Sequence, residues 1–426
     1  MSIYKFEEAG NTAYDLPGCR AAPKLRIALL QGPVGPFFNH LKVKLEQSNF
    51  DVWRVSFNAG DALFSRRKRR INFRGNSEDW RNWFLEFVIS QQLDFIILFG
   101  AERRIHRVAK EVAKARGVPL ISLEEGYLRP GYITAELDGN NATSPLAGKL
   151  PSENFVPKND TALLPIDFNG LRKMLFYAAA YYTVQSVFTF GKRKELLHRS
   201  ISLHRETFYW FRNLYRRITS GSHNLSKIEN LVKHFCGKYY LVPLQVAADG
   251  QIQFNALGWS VEKLVLQSIN SFANSAPGYC RLVFKIHPME RGHSNCRKLI
   301  LRRAAKLGIS DRVDVIETGS LGLLAQHAAG MITINSTSGL SAIYHGTPLM
   351  VIGKAIYANE KLAWCAHGEP NFDLFWKGSF AAKSSLREKY LLWIKEKALI
   401  KGDFYSTRGI ATACDNLVAR LECTEF

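Results

Sequence analysis

The chain has 426 residues, enough for two domains with a full core each, and its 46% hydrophobic and 12% aromatic content excludes a disordered protein. Fifty-seven Lys and Arg against 37 Asp and Glu give a net charge of +20, so the surface calls for a polyanion: nucleic acid, an anionic bilayer or an acidic substrate. The seven scattered cysteines lack zinc or redox spacing, which predicts reduced and mostly buried thiols, and the first 20 residues carry Glu7, Glu8 and Asp15 in place of a signal peptide's apolar segment.

In chain order, "LRIALLQ" (25–31) reads as a first strand, followed by the turn "GPVGPFF" and a helix from about His40. "FDVWRVSFN" (50–58) and "LDFIILFG" (93–100) are further strands, with "FSRRKRRINFRG" between them as a basic loop. "RIHRVAKEVAKARG" (104–117) has helical spacing and stops at a glycine, and "VPLISLEEG" (118–126) is the next strand. A second alternating run starts near residue 238 with "KYYLVPLQV", a helix over 261–274 and the strand "RLVFKI" ending in His287 and Pro288. A helix over 296–308, the strand "RVDVIE", the helix "LGLLAQHA", the strand "GMITI", the segment "NSTSGLSAIYHG" and the strand "PLMVIG" follow. Strands alternating with helices predict doubly wound parallel sheets, and two such runs fit a GT-B-like α/β fold, two Rossmann-like domains facing a central cleft.

The middle of the chain differs. "MLFYAAAYYTVQSVFTF" (174–190) is uncharged, flanked by Arg172 and Lys173 before and "GKRK" after, and too short for a spanning helix. Arginines interleaved with Phe208, Tyr209, Trp210 and Phe211 follow it. The segment 172–217 is therefore expected to lie against an anionic bilayer, the competing reading being an interdomain helical insertion with an ordinary core face. The predicted organisation is an N-terminal tail (1–22), a first Rossmann-like domain (23–150), the basic and aromatic insertion (151–225), a second Rossmann-like domain (226–375) and C-terminal helices crossing back (376–426).

Four stretches lie at predicted strand ends, where open α/β folds bind ligands. They are "SLEEGYLRPG" with Glu124, Glu125 and Arg129, "PLQVAADGQ" with Gln245 and Asp249, the Lys285, His287, Pro288, Arg291 stretch, and "TINSTSGLSA" with Asn335, Ser336, Thr337 and Ser338. Hydroxyls before a helix, together with Lys285 and His287, make a candidate phosphate cradle, although Ser336 or Ser338 alone could be a simple helix cap. The chain has neither a D-x-D nor a G-x-x-x-x-G-K-[ST] sequence. These absences speak against a P-loop NTPase and favour phosphate stabilisation by Lys, His and helix N-termini in place of a metal. No RNA- or DNA-binding module is recognisable, so nucleic acid is not the expected polyanion.

"LLQGPVGPFF", "EEGYLRPGYIT", "LVPLQVAADGQI", "KIHPMERG" and "NSTSGLSAIYHGTP" together resemble the capsular polysaccharide biosynthesis family of KpsS/LipB-type retaining β-Kdo glycosyltransferases. The resemblance runs from about residue 26 to "GDFY" at 402–405 and is weaker over 150–225. It implies a transferase that moves Kdo from CMP-β-Kdo to a glycolipid, with lyso-phosphatidylglycerol as the expected acceptor and no cofactor. It also implies a cytoplasmic place on the inner membrane beside other capsule synthesis and export proteins.

Carried over residue by residue, Asp249 is the implied nucleophile, Glu125 (or Glu124) the base across the cleft, and His287 a group on the nucleotide side. Gln245, Lys285, Pro288 and Asn335 to Ser338 would contact the donor. Glu124, Arg129 and Arg291 are candidates for the acceptor side or the Kdo carboxylate, and Gln31, Gly32 and Gly35 are placed near the cleft. The sequence departs from the family at Gly250, where a serine is expected, and at Ile286, where some relatives have a second histidine. Alternatives are a transferase of this fold using another nucleotide sugar, and a non-catalytic export or scaffold subunit.

Overall fold

The computed structural model describes residues 24–157, 168–188, 195–197, 224–246, 250–287, 295–378 and 381–423. The first α/β unit runs β1 (Arg26–Leu29), α1 (Phe37–Gln47), β2 (Asp51–Ser56), α2 (Ala59–Leu63), β3 (Arg70–Asn72), α3 (Asp79–Ser90), β4 (Phe95–Phe99), α4 (Arg104–Arg116), β5 (Leu120–Glu125) and β6 (Tyr132–Leu137). Helix α5 (Leu171–Phe188) and a helix α6 over 224–234 connect it to the second unit. That unit holds β7 (Tyr239–Pro243), α7 (Gly250–Asn255), α8 (Val261–Ser275), β8 (Arg281–Lys285), α9 (Cys296–Lys306), β9 (Val313–Ile316), α10 (Leu321–Gln326), β10 (Gly330–Thr333), α11 (Gly339–His345), β11 (Leu349–Val351), β12 (Trp364–Cys365) and α12 (Phe372–Trp376). Helix α13 (Ser384–Ala398), β13 (Leu399–Lys401) and α14 (Thr407–Glu422) complete the chain's described elements.

Two sheets result, as the alternation predicts. The second is parallel throughout, in the order β12-β11-β10-β7-β8-β9. Its strands are apolar runs buried on both faces, the pattern a parallel sheet demands. The first sheet has the order β13-β6-β5-β4-β1-β2-β3 and is mixed, because β6 runs antiparallel to both β5 and β13. A six-residue turn, 126–131, folds β6 straight back onto β5, so no crossover helix intervenes.

Three local details differ from the sequence reading. Helix α1 starts at Phe37, behind Pro36, three residues before His40. Within the basic loop, Arg70–Asn72 pairs with β2 as an edge strand, and charges on an edge discourage pairing with other chains. The six described cysteines are free, but two are buried, two partly buried and two exposed, so the thiols are not mostly buried.

Each sheet carries a core on both faces. Residues of β1, α1 and α14 form one face of the first sheet, and α3 and α4 cover the other. In α4 the buried positions Ile105, Ala109, Val112 and Ala113 recur at helical spacing; each large apolar side chain so buried contributes about 1.5–3 kcal/mol. The core between α11, α13 and the second sheet also takes in Tyr127, Tyr132 and Leu399 of the first unit, so a shared hydrophobic core joins the two halves.

Helix α5 docks on the first unit by one face only. Tyr181 and Gln185 are buried, and the Tyr181 hydroxyl donates to Asp61 Oδ1 at 2.8 Å and accepts from Asn58. Gly35 has φ +108°, and a Cβ there would come 2.8 Å from the Tyr177 ring, so a glycine lets the first turn pass beneath this helix. The opposite face, with Leu175, Phe176 and Val187, is exposed. No described helix is long and apolar enough to cross a membrane.

Candidate functional site

A cleft of about 700 Å³ opens between the two units. On the second sheet it lies over the carboxyl ends of β7 and β10, where the strand order reverses on either side of β7. That switch point is the position at which doubly wound sheets bind ligands. From the first sheet the ends of β5 and β6 face it.

The wall from the first unit is Glu124, Glu125, Tyr127, Arg129 and Tyr132. The turn that presents them requires glycine: a Cβ at Gly126 would come 2.2 Å from the Tyr132 carbonyl oxygen. Arg129 is exposed at the cleft mouth, its Nε donating to the Gly126 carbonyl at 2.8 Å, and the Arg129–Pro130 peptide is cis. Glu125 Oε1 accepts from the Tyr405 hydroxyl at 3.1 Å. Burial, and then the Glu125 charge, hold the Tyr405 phenol well above its ordinary range, so it remains a donor.

The wall from the second unit is Gln245, Lys285, His287 and Asn335 to Ser338. Lys285 is buried at the end of β8. The His287 imidazole opens to the cleft solvent, yet the flanking walls withhold much of the surrounding water. This desolvation, with positive charge from Arg129 and then Lys285, lowers its pKa to about 4. His287 is therefore neutral at neutral pH in the empty cleft, and an anion between it and the two cations would favour its protonated form. The Ser336 and Ser338 hydroxyls lie 2.8 Å apart, and Ser336 Oγ also accepts from the Ser338 backbone N–H.

The structure thus brings Glu124, Glu125, Arg129, Gln245, Lys285, His287 and residues 335–338 to one cleft. Gln31, Gly32 and Gly35 stand one layer behind it. The Gln31 amide donates to the Tyr181 hydroxyl at 3.2 Å and accepts from Arg103 at 2.9 Å, and Arg103 also donates to the Gly32 carbonyl. Burial lowers the Arg103 pKa, offset partly by Tyr181, Tyr182, Asp61 and Glu124. Asp249, Pro288 and Arg291 lie outside the described residues.

Sequence reasoning missed several lining or supporting residues. Tyr405 comes from a loop 280 positions away from Glu125; the "GDFY" sequence was its only trace. The 319–322 loop, Tyr344 and His345 complete the lining opposite the carboxylates, and nothing in their spacing marks them. Behind the lining, Glu136 accepts from the Tyr127 and Ser144 hydroxyls, and its burial pushes its pKa up to about 7.

A family model described as "Capsule polysaccharide biosynthesis protein" matches residues 94–405. The chain is 30% identical over 377 residues to the capsule polysaccharide export protein KpsS of Escherichia coli, covering 88% of this chain and 96% of the relative. It is also 30% identical over 389 residues to the capsule polysaccharide modification protein LipB of Neisseria meningitidis serogroup A, covering 89% and 91% respectively. Among solved structures, the beta Kdo 2,7 transferase of KpsC from Thermosulfurimonas dismutans overlays 94% of this chain and 100% of that one, at 13% identity and a TM-score of 0.39. That overlay is too loose to transfer residue roles. The sequence match over most of the length, with two relatives across nearly all of it, settles descent: the chain belongs to the capsule polysaccharide biosynthesis protein family.

Proposed function

We propose that this protein is a retaining β-Kdo glycosyltransferase that moves Kdo from CMP-β-Kdo to a glycolipid, starting the Kdo linker on lyso-phosphatidylglycerol during capsule synthesis. The observation that carries this reading is the meeting, in one cleft, of the Glu124–Glu125 strand end with a wall of Lys285, His287 and the 336–338 hydroxyls. Membership of the capsule family supports it.

Kdo carries its carboxylate on the tertiary anomeric carbon, so its transfer passes through an oxocarbenium-like transition state that a carboxylate can trap. CMP leaves as an anion and needs electrostatic stabilisation more than protonation. Lys285, a hydrogen bond from His287 and the serine hydroxyls supply it without a metal. Arg129 is placed to hold the sugar carboxylate.

In the first step the Asp249 carboxylate bonds to the anomeric carbon as the carbon–oxygen bond to CMP breaks. In the second, Glu125 takes the proton of the acceptor hydroxyl, whose oxygen bonds to the anomeric carbon while Asp249 leaves. Two inversions retain the configuration.

The same reading puts the protein on the cytoplasmic surface of the inner membrane. Its support is the exposed face of α5, where Leu175, Phe176 and Val187 follow Arg172 and Lys173, and the strongly positive net charge. The test is incubation with CMP-Kdo and a panel of lipids, read by mass spectrometry. A Kdo-sized mass gain on lyso-phosphatidylglycerol is expected. No gain on any lipid, with CMP-Kdo left intact, overturns the reading.

A further inference from the structure

Asn335 is fully buried, and every polar group it has is engaged by protein. Its Oδ1 accepts from Gln245 Nε2 at 2.9 Å, and its backbone N–H donates to Gln245 Oε1 at 3.2 Å. Its Nδ2 donates to the Gln251 carbonyl at 2.8 Å, and its own carbonyl accepts from Asn141 Nδ2 at 2.9 Å. Each polar group of Asn335 is thus tied to protein, which makes its side chain a fixed junction between the end of β10, Gln245 and α7.

What it holds is informative. Gln251 sits in the first turn of α7, two positions beyond Asp249 in sequence. Asn141 belongs to the first unit, just past β6, yet its side chain grips the second unit twice: Nδ2 on the Asn335 carbonyl, and Oδ1 accepting from the Ile356 backbone N–H at 3.0 Å. Asn141 is itself held in the left-handed region, φ +53°, by its N–H bond to the Tyr127 hydroxyl, which in turn donates to Glu136. A continuous chain of hydrogen bonds therefore runs from the interior of the first sheet to the turn that follows Asp249.

We propose that Asn335 and Asn141 are positioning residues: Asn335 pins the start of α7 and Gln245 together, and Asn141 registers that pinned unit against the domain carrying Glu125. This rests on the transferase reading, in which Asp249 and Glu125 act on opposite sides of one anomeric carbon and errors of about 1 Å cost up to about a hundredfold in rate. The shared core fixes the two domains grossly; the asparagine pair fixes the cleft floor locally.

Two variants of the full chain test it. Asn335→Asp keeps the acceptor for Gln245 but sets an oxygen against the Gln251 carbonyl. Asn141→Gly removes both cross-domain bonds while tolerating the positive φ. Hydrogen exchange read by mass spectrometry should show the peptide over 250–255 exchanging about tenfold faster in Asn335→Asp, with the β7–β9 strands unchanged. In both variants kcat should fall about tenfold or more, and in Asn141→Gly CMP should bind with unchanged stoichiometry and within about threefold of wild-type affinity.

Exchange at α7 unchanged in Asn335→Asp, or kcat near wild type in both variants, overturns the proposal. So does faster exchange across the whole second sheet with lost CMP stoichiometry, which would mean a general loss of folding. If the wild type transfers no Kdo, the transferase reading fails, and the exchange arm still decides whether the asparagines pin α7.

Discussion

Tyr405 donates its phenolic hydrogen to Glu125 Oε1 at 3.1 Å, joining the C-terminal loop to the end of β5. The loop is stiff where it matters. Asp403 Oδ1 accepts from the Tyr405 and Ser406 backbone N–H groups at 2.6 and 2.7 Å, and Phe404 packs edge-on against Phe37 and Phe99. Because a hydrogen bond to a charged acceptor contributes about 1.5–3 kcal/mol, Tyr405→Phe should lower transfer about tenfold or more with little change in CMP affinity. Steady-state kinetics with calorimetric CMP binding checks it; equal activity would remove Tyr405 from the site.

Two shifted groups, one open to the cleft solvent and one buried, should pull the pH dependence of stability in opposite directions. His287 is shifted down to about 4 from 6.5, so the unfolded chain takes its proton first and stability falls as pH drops through that window. Glu136 is shifted up to about 7 from 4.5, so the unfolded chain loses its proton first and stability falls as pH rises through that window. Thermal melts of His287→Asn should therefore lose the acid-side decline, and those of Glu136→Gln the decline toward neutral pH. Parallel curves for wild type and both variants would contradict these assignments.

Variants of the proposed donor site and of the proposed nucleophile should separate in their effects. His287→Ala should weaken CMP binding and transfer together, whereas Asp249→Ala should lose several orders of magnitude in rate with CMP binding intact. On a slowed variant supplied with CMP-Kdo, peptide mapping should find a Kdo-sized adduct on the peptide containing residue 249. An adduct elsewhere would reassign the nucleophile.

Gly126→Ala places a methyl group against the Tyr132 carbonyl. Backbone cannot move aside as a side chain can, so the hairpin should deform at a cost of about 1–3 kcal/mol and displace Glu124 and Glu125. Chemical denaturation measures the first effect and transfer the second. A stable, fully active variant would show that the turn is softer than its contacts indicate.

Reversal of charge at Lys192, Arg193 and Lys194 to Glu should release the protein from anionic liposomes, and salt should do the same to the wild type. Phe176→Ser, on the exposed face of α5, should weaken binding at all salt concentrations. Sedimentation with vesicles decides between this and a purely structural role for the helix.

The sheet strands were legible because parallel strands buried on both faces must be apolar throughout, as in "RLVFK" and "YYLVP". The strand-end carboxylates and the His287 wall followed from that. The antiparallel β6 was not legible, since "YITAEL" reads equally as a short parallel strand and only the crowded Gly126 turn settles its direction. Nor were the buried bonds of Asn335 to Gln245 and the Gln251 carbonyl, which its place beside three hydroxyls does not announce. Tyr405 and Asn141 act through contacts 280 and 194 positions away, and sequence spacing carries no trace of such distances.

Strand β13 completes the edge of the first sheet by pairing Leu399 with Thr134 and Lys401 with Tyr132, and α14 then closes over α1. As the chain leaves the ribosome, the amino-terminal half must therefore wait, with β6 unpaired on one side and part of its core bare, until β13 and α14 emerge. Glu125 acquires its Tyr405 brace at the same late moment. The strands of the second sheet all lie between residues 239 and 365, but one face of its core also waits for α13. The Glu125 side of the cleft is thus finished only once residue 405 is in place.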